Sequence, residues 1–436
     1  MPMLIELTDE QKTAVDKSKK DCVLILTGGP GTGKTTTCKE IIRQAEEVGM
    51  SVALCAPSGK AAKRMTEATG HEASTIHKLL AATLEDGGFV FGFNENIQLL
   101  YDVIIVDETS MVSTDLMASL LRAVRVGTRL ILVGDQDQLP SVGPGTVLKD
   151  LLASKQFSHV ELTKIHRNAG DIVRACHNIK KGKGFSPHPT MCLEEGHNFR
   201  HLEKYNEKDV AATIVNLVTS KLPALGYDPL WEVQVISPFK EKSDLSCQEL
   251  NLKLQAVLNP RKAADEKFPL KVGDKAIQIR NQKVNLYNGT VTFDGVDYSS
   301  IGMKSFVVNG DICQILDITK SQIIARFFYP DRIVALSKVD HHLILAYAIT
   351  CHRFQGSEAP VIVIPVHRSF GGFVNRPWIY TAISRAQILC ITVGQLAAIE
   401  AAAKRRDSDV RLTRLLDKLR KGKCDAKDSV GDFDSI

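Results

Sequence analysis

Cys22-Val23-Leu24-Ile25-Leu26 runs, one residue on, into Gly28-Gly29-Pro30-Gly31-Thr32-Gly33-Lys34-Thr35. An apolar strand, a glycine-rich turn and a helix start in that order form a cradle for a nucleoside triphosphate. Gly28, Gly31 and Gly33 let the backbone bend around an anion without Cβ clashes, so that successive N–H groups point at the β-phosphate from the start of the helix. Gly29, Pro30, Thr32 and Thr36 complete the phosphate-binding segment. Lys34 reaches the β- and γ-phosphates, and Thr35 holds Mg²⁺ through its hydroxyl.

Downstream, Val103-Ile104-Ile105-Val106-Asp107-Glu108 is an apolar strand ending in two acids, spaced to lie beside the cradle. Asp107 suits the Mg²⁺ hydration shell, and Glu108 suits orienting and deprotonating an attacking water. The alternative is a solvated pair capping a helix that starts near Ser113. The next strand ends in Gly134-Asp135-Gln136-Asp137-Gln138. Gln138 is either a hydrogen-bonding sensor of the γ-phosphate or polar loop surface.

The chain of 436 residues is too long for one ordinary core at about 150 residues per domain. No apolar stretch is long enough to cross a bilayer, and the start, Met1 to Glu10, lacks an export signal, so a cytoplasmic location is expected. Ten cysteines occur without a CxxC pair or a Cys/His ladder at zinc spacing, which points to neither a disulfide framework nor a metal cluster. The net charge of +5 suits small anions as well as nucleic acid. Basic residues gather locally at Lys60, Lys63 and Arg64, at Lys180, Lys181 and Lys183, and from Lys404 to Lys421, where they also fit a solvated helix face.

From Cys22 to about Leu152 short β-rich runs alternate with helical patterns, predicting a parallel sheet with strands at Cys22 to Leu26, Val52 to Ala56, Val103 to Val106 and Arg129 to Val133. Open α/β sheets place ligands at the C-terminal ends of such strands. A second αβ pattern resumes at Glu161, with strands at Val233 to Ser237, Val361 to Pro365 and Ile388 to Val393. Two excursions interrupt the plan. Glu85 to Phe93 reads as a small hairpin, and from about Lys267 to Leu336 Asn-Gly and Asp-Gly turns between short strands predict a small β-barrel.

Six further segments stand in a fixed order: Leu7-Thr8-Asp9-Glu10-Gln11, Ala56-Pro57-Ser58-Gly59-Lys60-Ala61-Ala62, Ala73-Ser74-Thr75-Ile76-His77, Leu162-Thr163-Lys164-Ile165-His166-Arg167, Tyr347-Ala348-Ile349-Thr350-Cys351-His352-Arg353-Phe354-Gln355-Gly356-Ser357-Glu358 and Tyr380-Thr381-Ala382-Ile383-Ser384-Arg385-Ala386. With the cradle and the acid pair they resemble the superfamily 1B helicases, RecD-type, over nearly the whole chain. The resemblance implies an α/β fold of two RecA-like P-loop NTPase cores, with a β-hairpin pin and an SH3-like β-barrel as insertions. Expected bounds are 1–156 for the first core with its pin at 83–98, 157–266 and 341–422 for the second, 267–340 for the barrel, and 423–436 for a disordered acidic tail.

By the same likeness the chain is an ATP-dependent translocase on single-stranded DNA and a 5′-to-3′ DNA helicase acting at duplex junctions, with ATP and Mg²⁺ as cofactors. Gln11 and Glu358 hold the adenine and the ribose. Arg167 and Arg385 bring positive charge to the γ-phosphate when the cores close, which is what a transferring phosphoryl group needs. Pro57, Ser58, Lys60, Thr75, His77, Thr350 and His352 contact the strand, mostly near phosphates. Phe239, after a second-core strand, either stacks on a base or is buried. The motor is expected to act as a monomer, and the acidic end Gly431 to Ile436 is either a disordered tail or, with acids beside an apolar terminus, a docking peptide for a basic pocket on a protein partner.

The sequence departs from the family pattern at Ser58 and Ser384, where threonine is usual, at His166, where tyrosine is frequent, and in a longer segment from Val291 to Val308. An RNA-directed helicase, and an ATP-switched binding module without unwinding, are the rival readings.

Overall fold

The computed structural model describes residues 7–85, 88–164, 170–190, 192–262, 268–300, 302, 304–328, 331–405, 411 and 414–428. The chain forms two units, one made of Met1–Ala169 with Asp407–Ile436 and the other of Gly170–Arg406.

In the first unit Val103–Val106 is buried along its whole length, and its successive side chains enter two separate cores. Val103 and Ile105 join Leu24, Leu26, Ile131 and Val133 on one face, under helix residues Val15, Ile41, Ile42 and Met65. Ile104 and Val106 join Leu130 and Leu132 on the other, against Ile76, Met117, Leu120 and Val147. Alternation along a strand sends neighbours to opposite faces, so a continuous apolar run is what a doubly covered parallel sheet requires. The sheet has six strands in the order Ala73–Thr75, Val52–Ala56, Val103–Val106, Arg129–Gly134, Val23–Gly28 and Ser158–Leu162, all paired in parallel.

The second unit holds a five-stranded parallel sheet in the order Ala348–Thr350, Val233–Ser237, Ala359–Val366, Ala386–Gly394 and Phe199–Glu203. It also holds a seven-stranded sheet whose pairings are antiparallel, running from Lys304–Val307 at one edge to Leu343–Leu345 at the other. The Asp294–Gly295 turn, with φ of 49° and 79°, closes a small hairpin of Val291–Phe293 and Val296–Tyr298 inside the segment that is long for the family pattern. The expected α/β class with parallel sheets is present.

Three expected boundaries move. Ser158–Leu162 pairs with Leu24 to Gly28 and closes the first sheet, so the first unit runs on to 169 rather than ending at 156. The antiparallel sheet takes in Leu343–Leu345, beyond the expected limit at 340. Leu415–Asp428 is helical and belongs to the first unit, not to the second core; the acidic end thus starts in a helix, and 429–436 lie outside the described residues.

That return is pinned by identifiable contacts. Leu415 packs against the core of Ile104 and Leu120, and Gln156 Nε2 donates to the Leu419 carbonyl. Arg411 Nη1 donates to the carbonyls of Ser141 at 2.7 Å, Gly143 at 2.7 Å and Gly145 at 3.1 Å. Arg411→Ala therefore lowers stability by about 1.5–3 kcal/mol, the worth of a hydrogen bond made by a charged group. A urea titration reads this as a lower midpoint at unchanged slope.

Candidate active site

The strand Val23–Gly28 ends in the cradle. Gly31 and Gly33 have φ of 73° and 86°, the left-handed region that favours glycine. A Cβ on Gly28 would lie 2.5 Å from Thr32 Oγ1 and 3.0 Å from the Leu162 carbonyl, so close approach demands glycine there too. Thr32 Oγ1 donates to the Gly29 carbonyl at 2.8 Å, and Lys34 Nζ donates to the carbonyls of Gly28 at 2.6 Å and Gly29 at 3.1 Å. The helix Lys34–Glu47, which also carries Thr35 and Thr36, starts at Gly33 without a side-chain cap, and an anion suits its first amides.

Gln11 is 1% exposed. It forms a capping box with Thr8 at the start of Asp9–Lys20, and its Nε2 donates to the Gly33 carbonyl at 3.4 Å. The adjacent Glu10 carboxylate accepts from the backbone N–H of Thr163 at 2.8 Å and of Lys164 at 3.1 Å, and from Thr163 Oγ1. Burial opposes ionisation of Glu10, but these hydrogen bonds prevail and hold its carboxyl below the ordinary range. Sequence reasoning passed over Glu10 because its partners lie 153 and 154 residues away. It fixes Thr163 and Lys164; Arg167 lies outside the described residues.

Asp107 and Glu108 follow Val103–Val106, one strand removed from the cradle strand across Arg129–Gly134, and the Asp107 N–H donates to the Cys55 carbonyl at 2.9 Å. Glu108 has φ of 50° and donates its backbone N–H to Asp107 Oδ1 at 2.8 Å. Left-handed backbone in a non-glycine residue is a sparsely populated conformation that clusters at functional sites. The helix Thr114–Ala123 takes its cap from Ser113, whose Oγ accepts from Leu116 N–H, so the acid pair is not spent on capping. Burial, then the adjoining Glu108 charge, push the Asp107 carboxyl above the usual aspartate range, against the pull of Arg64 and Lys34. Paired carboxylates held this way are stabilised by a cation, and a hydroxyl with carboxylate oxygens is a donor set that Mg²⁺ takes. Gln138, 8% exposed, sits in a turn whose N–H bonds back to the Asp135 carbonyl.

The expected strand-binding residues of the first unit follow the ends of neighbouring strands. Ser58 caps the helix Gly59–Thr69, which carries Lys60 after Pro57, and Thr75 caps the short helix Ile76–Leu79. His77 lies against the hairpin, with ring centroids 4.6 Å from Phe89 and 6.1 Å from Phe91. Burial lowers the His77 pKa, favouring the neutral imidazole. The hairpin pairs Ala82–Glu85 with Gly88–Phe91, and Phe91 and Phe93 pack on the core, so these aromatics are partly a packing face.

In the second unit the expected residues separate by sheet end. Ser237 pairs with Thr350, which places Phe239 and Thr350 at the C-terminal ends of adjacent strands, with His352 in the turn that follows. Ala359 pairs with Ala386, which places Glu358 and Arg385 at the opposite, N-terminal ends. Phe239 packs on Phe370 and Phe373, at 5.4 and 5.0 Å between centroids, with Phe373 half exposed. Gln387 Nε2 donates to Glu358 Oε2 at 3.3 Å, and Arg385 is 2% exposed.

Residues 6–197 match the AAA domain model and residues 345–393 the UvrD-like helicase C-terminal domain model. A RecBCD enzyme subunit RecD from Mycobacterium tuberculosis is 30% identical over 91% of this chain and 71% of its own. The chain belongs to the RecD family of helicases. An ATP-dependent RecD2 DNA helicase from Deinococcus radiodurans is 34% identical over 95% of this RecD-family chain, which spans 52% of that relative's length. Among solved structures, a Bacteroides Pif1 helicase in complex with ADP-AlF3 and ssDNA aligns with 98% of this chain and 99% of its own, at 19% identity and a TM-score of 0.49. No helix among the described residues is long and apolar enough to cross a membrane.

Proposed function

We propose that this chain is an ATP-driven translocase on single-stranded DNA that unwinds duplexes 5′ to 3′. The observation that carries the reading is that the Gly28–Thr35 cradle, with the Gln11 contact to Gly33, and the Asp107–Glu108 pair stand at the C-terminal ends of the two strands that flank Arg129–Gly134. Lys34 and the loop amides bind the phosphates, Gln11 and Glu358 position the nucleoside, and Gln138 senses the γ-phosphate. Thr35 and Asp107 would hold Mg²⁺, which supplies charge neutralisation between phosphate oxygens. Glu108 orients the attacking water and takes its proton, while Arg167 and Arg385 offset charge on the phosphoryl group in transfer.

Pro57, Ser58, Lys60, Thr75, His77, Phe239, Thr350 and His352 grip the strand, the hairpin at Phe89 serves as the duplex-splitting pin, and the antiparallel sheet serves as the SH3-like insertion. The motor acts as one chain in the cytoplasm, with the acidic end available to a basic pocket on a protein partner. With ATP and Mg²⁺, a duplex with a 5′ single-stranded tail is expected to be unwound and one with a 3′ tail left intact. Unwinding from the 3′ tail alone overturns the polarity, preferential unwinding of RNA overturns the substrate, and ATP turnover indifferent to any polynucleotide overturns the helicase reading.

A further inference from the structure

Arg64 joins two parts of the first unit that the sequence keeps 44 residues apart. Its Nη2 lies 2.9 Å from Glu108 Oε1 and 3.9 Å from Asp107 Oδ2, with the Glu108 side chain 7% exposed. It stands on the helix Gly59–Thr69, capped by Ser58, and one turn from Lys60 on the same helix face. The strand leading into that helix is paired with the strand leading into the acids, Cys55 opposite Val106. One short, stiff element thus carries two strand-binding residues at its start and a cation on the catalytic carboxylate a turn later.

A carboxylate oxygen that accepts a charge-assisted bond from guanidinium has that lone pair committed, and such bonds are roughly twice as strong as neutral ones. The bond also holds the carboxylate in one orientation, and Glu108 must release it to swing toward a water placed elsewhere. Ser58 can cap the helix and still donate its own hydroxyl hydrogen, since a serine offers one donor and two acceptor sites. A DNA phosphate bound at Ser58 and Lys60 therefore pulls on the helix without dismantling it.

We propose that Arg64 is a positioning residue that holds Glu108 away from the attacking water until the start of its own helix engages a DNA strand, making ATP turnover conditional on bound DNA. This rests on the helicase reading above. Phosphate release with Mg²⁺-ATP, measured with and without a saturating oligo-dT, tests it in Arg64→Ala and Arg64→Lys. For Arg64→Ala the expected result is a DNA-free kcat raised roughly 5-fold or more, the low end of coupling between sites, with the ATP KM and the DNA-stimulated kcat within about 2-fold of the parent. A merely structural contact would lower both rates instead. Arg64→Lys keeps the charge without the planar fork and falls between the two, and it decides the matter if Arg64→Ala melts early. Adding Glu108→Gln abolishes the raised rate. A DNA-free kcat at or below the parent's, in a variant that melts normally, overturns the inference and leaves the helicase reading standing. A parent enzyme that oligo-dT does not stimulate overturns the helicase reading, and this inference falls with it.

Discussion

Lys34→Ala is expected to lower kcat for DNA-stimulated ATP hydrolysis by about 10²–10³-fold, the cost of deleting one preorganised electrostatic contact to the transition state. The ammonium stands within reach of the loop that will hold the anion, bonded to the carbonyls of Gly28 at 2.6 Å and Gly29 at 3.1 Å. Those acceptors are weaker partners than phosphate oxygens bearing full charge, so they are readily exchanged for the nucleotide. Charge that builds between the β- and γ-phosphates as the bond breaks is expected to be met by Lys34 among other cations, and alanine removes the one that the loop itself carries. Arginine is not a substitute, because a planar fork differs in shape and reach from a compact point charge. Phosphate release at saturating ATP reads the loss, and fluorescent-nucleotide titration separates it from weakened binding. A residual rate above about a tenth of the parent's would remove Lys34 from the transition state, since one such donor is worth at least 10²-fold.

The parts of the fold visible in the sequence are those whose burial is symmetrical. Val103–Val106 and Val23–Gly28 lie inside the sheet, so both faces demand apolar residues and the run is unmistakable. Edge strands obey a weaker constraint. Ser158–Leu162 and Phe199–Glu203 mix polar with apolar residues, and Ala73–Thr75 is only three residues long; each is set by its pairing with a distant strand. The displaced boundary near 157 follows from this. The helix Leu415–Asp428 has the charge pattern of a solvated face, and its attachment to the first unit depends on Arg411 finding three carbonyls some 270 residues away.

Legibility of the site divides along the same line. Glycines, the lysine and the acid pair are dictated locally by what a phosphate and a metal ion require, so spacing reveals them. The supporting contacts of Glu10 with Thr163 and of Arg64 with Glu108 join residue types common on any surface, across long separations, and only the folded sheet brings them together. Lys60 and Arg64 at i, i+4 were the available signal, since they share one helix face.

Arg385→Ala is expected to cut kcat by about 10³–10⁵-fold, the worth of an arginine that offsets charge on a transferring phosphoryl group. The residue ends the helix Arg376–Ser384, where Ser384 Oγ donates to the Thr381 carbonyl at 2.9 Å, and its own carbonyl accepts from Ala359 N–H at 3.1 Å. Backbone pairing therefore fixes where the side chain starts, beside Glu358 at the N-terminal end of two paired strands. At 2% exposure the guanidinium is also a candidate for a purely structural role, and the two roles predict different kinetics. A structural arginine lowers the melting temperature and degrades ATP affinity and turnover together. One that acts on the transition state leaves nucleotide affinity near the parent's and removes kcat, because uniform binding and transition-state binding are separable in KM and kcat. Arg385→Lys sharpens the distinction: it retains a positive charge in the same place but not the paired donors that match phosphate oxygens, so turnover stays low while folding is largely restored. Recovery of turnover in step with recovery of stability would assign Arg385 to the framework of the second unit and leave Arg167 to supply the cation.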